Sequence, residues 1–163
     1  MNGLPRQMPR DGMNAYAYFL TVTHPSIDDL KGMMFLEASG QGLYDGLAAL
    51  TDKEEAREIL ARNGREERAH AHRLRRAIRV LSGEIVAVPA PQDNPYHGAL
   101  GFDALTPEVI EGLVGAELDG ENLYNIWADG VGNDDAARLL RQNGREERRH
   151  GERVRKVMSL LQR

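Results

Sequence analysis

Residues 63–68 read Asn-Gly-Arg-Glu-Glu-Arg, and residues 143–148 read the same six again. Sliding the chain by 80 positions aligns 32–83 with 112–163 without a gap, and 18 of the 52 pairs are identical. They include Glu37/Glu117, Gly40/Gly120, Leu43/Leu123, Tyr44/Tyr124, Leu60/Leu140, Glu67/Glu147 and His70/His150. Two copies at so long a period do not make a solenoid. They make a duplicated supersecondary unit.

Each unit reads as two helices. Ser26 with Asp29 three residues on is an N-cap signal, and Thr51 with Glu54 reads as a capping box. Thr106 caps a third helix with Pro107 at its first position, where a missing N–H costs nothing. Asn133 precedes Asp134 and Asp135, acids at the positive end of a helix dipole. The predicted helices are 27–50, 52–82, 107–129 and 134–162. Connections of a few residues within each unit imply antiparallel neighbours. Between the units, 84–105 carries Pro89, Pro91 and Pro95 and is long enough to cross a bundle end to end. Residues 1–25 read as an irregular arm, tacked on by Tyr16, Tyr18 and Phe19. The predicted fold is all-α: one four-helix bundle over 26–163, built of hairpins 26–83 and 106–163 joined by a long crossover.

The predicted core is chemically wrong for an ordinary bundle. The inward stripe of the second helix runs Leu60, Asn63, Glu67, His70, Leu74, Ala77, Leu81. The fourth repeats it as Leu140, Asn143, Glu147, His150, Val154, Val157, Leu161. The first and third place Glu37 and Glu117 mid-stripe, with Tyr44 and Tyr124 seven residues on. Burying an unpaired carboxylate costs several kcal/mol, and four together repel one another. Something positive must sit between them. The midpoints of Glu37/Glu67 and Glu117/Glu147 fall in the two hairpin turns, so both pairs meet at one height. Glu67/His70 and Glu147/His150 are i, i+3 pairs on one helix face.

One Glu from each of two helices, and Glu-x-x-His from each of the other two, is the inward ligand set of ferritin-like di-iron and di-manganese bundles. Residues 27–162 thus resemble the ferritin-like superfamily, nearest its rubrerythrin and bacterioferritin branch. Each unit by itself resembles the half-ferritin of encapsulated ferritins. The resemblance implies a pair of iron ions, or manganese, held by Glu37, Glu67, His70, Glu117, Glu147 and His150, with Glu67 and Glu147 as bridges. It implies an oxidoreductase that reacts with dioxygen or peroxide, in which Tyr44 and Tyr124 orient ligands or supply an electron. Iron storage, manganese catalase-like turnover and a metal-free interaction protein are the alternatives.

Departures from the family pattern narrow the reading. Rubrerythrins add a cysteine-ligated centre, whereas this chain has no cysteine, and no disulfide or iron–sulfur cluster is expected. No methionine matches a haem ligand: Met33 and Met34 fall on the first helix. Electrons must come from an external donor. The fourth helix reaches Arg163 with no fifth after it, which points to a homodimer or small oligomer, paired through Phe35, Leu47 and Trp127.

The remaining charges read as solvated. Glu66 and Glu146 lie about 100° from the ligand stripe and are expected in surface ion pairs with arginine. Glu121, one turn past Glu117, is open between a seventh ligand and a residue on an ion path. His24, His72 and His97 are expected at the surface. Arginine runs at 65–79 and 145–156 alternate with acids and the net charge is −4, so no nucleic-acid partner is expected. No apolar run approaches a membrane span, and the chain reads as cytoplasmic.

Overall fold

The computed structural model describes residues 3–98 and 101–162. The protein is all-α, with no strand among the described residues. Its helices are α1 Gly12–Phe19, α2 Ile27–Ala48, α3 Glu54–Ser82, α4 Pro107–Gly130 and α5 Asp134–Leu161, with a 3₁₀ turn at Pro91–Asp93. No helix among the described residues is long and apolar enough to cross a membrane.

The helix starts follow the capping chemistry at three of four positions. Ser26 and Asp29 form a reciprocal capping box on α2. Thr106 accepts from the Val109 N–H with Pro107 behind it, and Asn133 accepts from Ala136 N–H. At α3 the expected box does not form. Thr51 accepts from the Lys53 N–H instead, and the helix opens at Glu54 with no side-chain cap. Its own acids, Glu54 and Glu55, still meet the positive end of the dipole.

Neighbouring side chains fix the directions. Gly40 lies against Glu67 and Gly64 against Gln41, so α2 and α3 run antiparallel. Gly120 lies against Glu147 and Gly144 against Glu121, so α4 and α5 do too. Asn63 donates to the His150 carbonyl and Asn143 to the His70 carbonyl, which makes α3 and α5 antiparallel as well. It follows that α4 runs parallel to α3, and the chain between them must travel back along the bundle. α3 packs closely against both α2 and α5, whereas the backbones of α2 and α4 lie farther apart and are joined through side chains.

The core is two apolar blocks. One gathers Phe19, Leu30, Phe35, Leu74, Ile78 and Trp127; the other gathers Leu47, Leu60, Ile110, Val154 and Val157. Each fully buried side chain of this size stabilises the fold by about 1.5–3 kcal/mol. Between the blocks lies a layer of buried polar residues: Glu37, Asn63, Glu67, His70, Glu117, Asn143, Glu147 and His150.

Two expectations need correction here. The arm read as irregular carries α1, capped by Asp11, and its Phe19 is fully buried. Phe35, Leu47 and Trp127 are likewise buried within the single chain, at 2%, 1% and 0% exposure, and offer no pairing surface. The arm is the reason for Trp127: Phe19 packs edge-on against its ring, and its Nε1–H donates to the Val22 carbonyl.

Candidate metal centre

Helix spacing and a close approach at Gly40 assemble the centre. Glu67 and His70 share one face of α3, and Glu147 and His150 the matching face of α5. At Gly40 an added Cβ would sit 2.8 Å from Cγ of Glu67, so only glycine lets α2 close over that carboxylate. Gly120 lies over Glu147 less tightly: a Cβ there would sit 3.4 Å from its Cγ, an ordinary contact.

Four carboxylates and two imidazoles then meet in the middle layer. His70 Nδ1 faces Glu147 at 3.1 Å, Glu37 at 3.4 Å and Glu67 at 3.5 Å. His150 Nδ1 faces Glu67 at 3.0 Å, Glu147 at 3.3 Å and Glu117 at 3.4 Å. Neither Nδ1 makes a hydrogen bond, although both are fully buried. Donor atoms bound to one divalent ion at about 2.1 Å lie roughly 3.0–3.4 Å apart at square or tetrahedral angles. The separations around each Nδ1 are those of coordination edges. Two groups of four residues result: Glu37, Glu67, His70, Glu147 and Glu67, Glu117, Glu147, His150. They share Glu67 and Glu147. The donor set therefore fits two ions, and the two imidazole rings stack 5.1 Å apart.

The far side of each imidazole is held by the other hairpin. His70 Nε2 lies 3.1 Å from Glu146, and His150 Nε2 lies 3.1 Å from Glu66. Arg73 clamps Glu146 while donating to Asn143, and Arg153 clamps Glu66 while donating to Asn63. An Nε2–H given to a carboxylate leaves Nδ1 as the nitrogen that could take a metal, and raises its basicity. Burial raises the Glu146 carboxyl, but the His70 hydrogen bond and Arg73 outweigh it and hold the group down to about 2. Glu66 is lowered likewise, by His150, Arg153 and Arg62 against burial. The phenols cross over too: Tyr44 donates to Glu117, and Tyr124 to Glu37.

The six residues in the predicted ligand set thus come together, with Tyr44 and Tyr124 against them. Glu121 does not join: its carboxylate pairs with Arg148 at 2.8 Å. Glu66 and Glu146 are more than the surface ion pairs expected of them. They were legible only as a repeat, since Glu66/Glu146 and Arg73/Arg153 are also identical 80 positions apart. Tyr16, expected to tack the arm onto the bundle, has no counterpart in the repeat; its hydroxyl donates to the Ala116 carbonyl on α4.

The family model for rubrerythrin matches residues 30–158. The chain belongs to the rubrerythrin family. That match spans the four long helices and makes the bundle a ferritin-like domain of the di-iron carboxylate type. No curated protein and no solved structure gives a significant match. In this rubrerythrin-family chain the carboxylate–imidazole layer comes without any cysteine.

Proposed function

We propose that the protein is a di-iron oxidoreductase reacting with dioxygen or peroxide, its two ions held by Glu37, Glu67, His70, Glu117, Glu147 and His150. The observation that carries this reading is the pair of four-residue groups sharing Glu67 and Glu147, each with an unbonded imidazole Nδ1. Carboxylate and imidazole donors suit iron(II) and also manganese(II). Four carboxylates balance two divalent charges. A bound iron pair would supply electron transfer to the oxidant.

The protein's own groups hold and shield. Glu67 and Glu147 set the separation between the two sites. Glu66 and Glu146 fix the imidazole orientation from outside. Tyr44 and Tyr124 keep a proton on each phenol, since burial foremost and then the facing Glu117 or Glu37 push those hydroxyls well above the ordinary range. Each phenol is therefore a hydrogen-bond donor that orients one terminal carboxylate. The two apolar blocks exclude bulk water above and below. Electrons return from an external donor.

The test is anaerobic titration of metal-free protein with iron(II), then rapid mixing with oxygen or peroxide. Two ions per chain and oxidation much faster than that of free iron(II) are expected. Saturation below two, or oxidation at the free-ion rate, overturns the proposal. Two bound manganese ions with peroxide turnover would move the assignment to that metal.

A further inference from the structure

α2 and α4 meet through side chains, with Tyr44 on Glu117 and Tyr124 on Glu37, and beside these contacts a cleft of about 700 Å³ opens between the two helices. That lies within the range of small-molecule sites, roughly 300–1,000 Å³. Its floor is the metal centre itself, where Glu37, Glu67, Glu117 and Glu147 all border it. Its walls are mostly apolar, with Met33, Leu36 and Leu43 on α2 and Val109, Leu113 and Leu123 on α4, although Ser39, His97 and Glu108 also line it. The arm and the crossover add Met13, Tyr16, Tyr96 and Phe102. Tyr16 spans the gap, from α1 to the Ala116 carbonyl. Gly112 lines the α4 side, and a Cβ there would meet nothing within 4 Å.

We infer that this cleft binds an uncharged organic molecule, chain- or ring-shaped, with one end against the carboxylate layer. The inference rests on the two-metal reading for the chemistry of its floor. An ion or peroxide needs polar partners along its route, and these walls supply few. A second copy of the chain would need a broad open face, about 800 Å² per partner. Here the protein's own arm and crossover help to line the gap, leaving space on the scale of a small molecule. The single-chain geometry also separates this cleft from the repeat. In the first unit Gly32 corresponds to Gly112, yet an added Cβ there meets Met8 and Phe19 at 2.8 Å. The arm fills one side and leaves the other open.

The experiment titrates N-phenyl-1-naphthylamine, a neutral apolar fluorophore, into the full-length protein, metal-free and loaded with redox-silent zinc(II). One saturable site per chain is expected, with long-chain alcohols displacing the probe. Gly112→Phe fills the cleft and Val109→Asp charges its wall; each should weaken binding about tenfold or more. Ile126→Ser lies on the same helix outside the cleft and should leave it unchanged. Elemental analysis of every variant reports metal content separately. Native protein that takes up fewer than two metal ions yet binds the probe refutes the two-metal reading alone, and two metals without a saturable probe site refute the cleft. Probe binding indifferent to both cleft substitutions also overturns it. So does a dimer, seen by light scattering, that Gly112→Phe dissociates while the probe fails to bind the dimer.

Discussion

The two hairpins are nearly the same inside and quite different outside. Inside, every group that one contributes to the centre has its counterpart in the other, down to Asn63/Asn143 and Arg73/Arg153. Outside, α2 is covered: Met8 and Phe19 crowd Gly32, and Asn94 from the crossover donates to the Phe35 carbonyl at 2.7 Å. The matching stretch of α4 leaves Leu118 and Ile126 more than a third exposed. The difference separates two kinds of constraint. A paired centre needs equivalent donors from both units, whereas an outer helix face needs only something to bury it or water to solvate it. The arm and crossover occur once, so they can cover only one side.

The largest expected effect tests the inner equivalence. Glu67 and Glu147 belong to both four-residue groups, so Glu67→Ala and Glu147→Ala should each disturb both ions. Glu37→Ala and Glu117→Ala, each in one group, should each disturb a single ion. Iron(II) titration is expected to show loss of both ions at micromolar metal in the first pair of variants and of one in the second. A centre in which Glu67→Ala cost one ion and Glu147→Ala none would be asymmetric, and the equivalence would fail.

Protonation gives the next effect. Burial, and then the charge of Glu147, lifts Glu37 and Glu117 above the ordinary carboxylate range in the metal-free chain. Burial pulls His70 and His150 the other way, but the facing carboxylates, Glu147 and Glu67 foremost, outweigh it and raise both. All four shifts favour the protonated forms in the metal-free chain, so a metal must compete with protons there. The sign follows: lowering the pH favours the protonated, metal-free form. Affinity should fall as the pH is lowered, and iron(II) added to unbuffered protein should acidify it. Metal uptake without proton release would contradict this.

A smaller effect probes the crossed partnership. Glu66→Gln removes the charge that holds His150, in the opposite hairpin, and Glu146→Gln does the same for His70. Removing such an outer partner costs about 10- to 100-fold in metal affinity. Both variants should fall in that range and by similar factors. A double variant Glu66→Gln, His150→Ala should lose little more than His150→Ala alone, since the two residues act as one unit. Additive losses would mean that the contact does not position the imidazole.

The same contrast explains how far the sequence could be read. The 80-residue offset exposes Glu37, Glu67, His70 and their counterparts because a repeated acid on an apolar stripe is improbable without a ligand. Helix ends fell within two residues of the caps, apart from Thr51, whose hydroxyl chose the nearer Lys53 N–H. The crossed pairs, His70 with Glu146 and Tyr44 with Glu117, were hidden because a repeat says which positions are alike, not which touch. The arm was harder still. Its contacts join Tyr16 to Ala116 and Trp127 to Val22 across about a hundred residues, and no periodicity encodes them. For the same reason Phe35, Leu47 and Trp127 looked available when they are covered.

The smallest effect is one in which the two halves should differ in sign. Gly32 and Gly112 are the same residue at the same register of matching helices. At Gly112 a Cβ meets nothing, and the position is mid-helix and exposed. Gly112→Ala should therefore stabilise the fold by about 0.5–1 kcal/mol, the ordinary gain in helix propensity. At Gly32 the added methyl would lie 2.8 Å from Met8 Sδ and from Phe19 Cζ. The methionine tip can turn aside, but Phe19 is fully buried against Trp127 and cannot. Overpacking there should cost about 1–3 kcal/mol, more than the propensity gain offsets. Urea denaturation of the two single variants reads both numbers directly. Equal gains at both positions would mean that the arm does not hold Phe19 against α2, and the inequality of the outer faces would disappear with it.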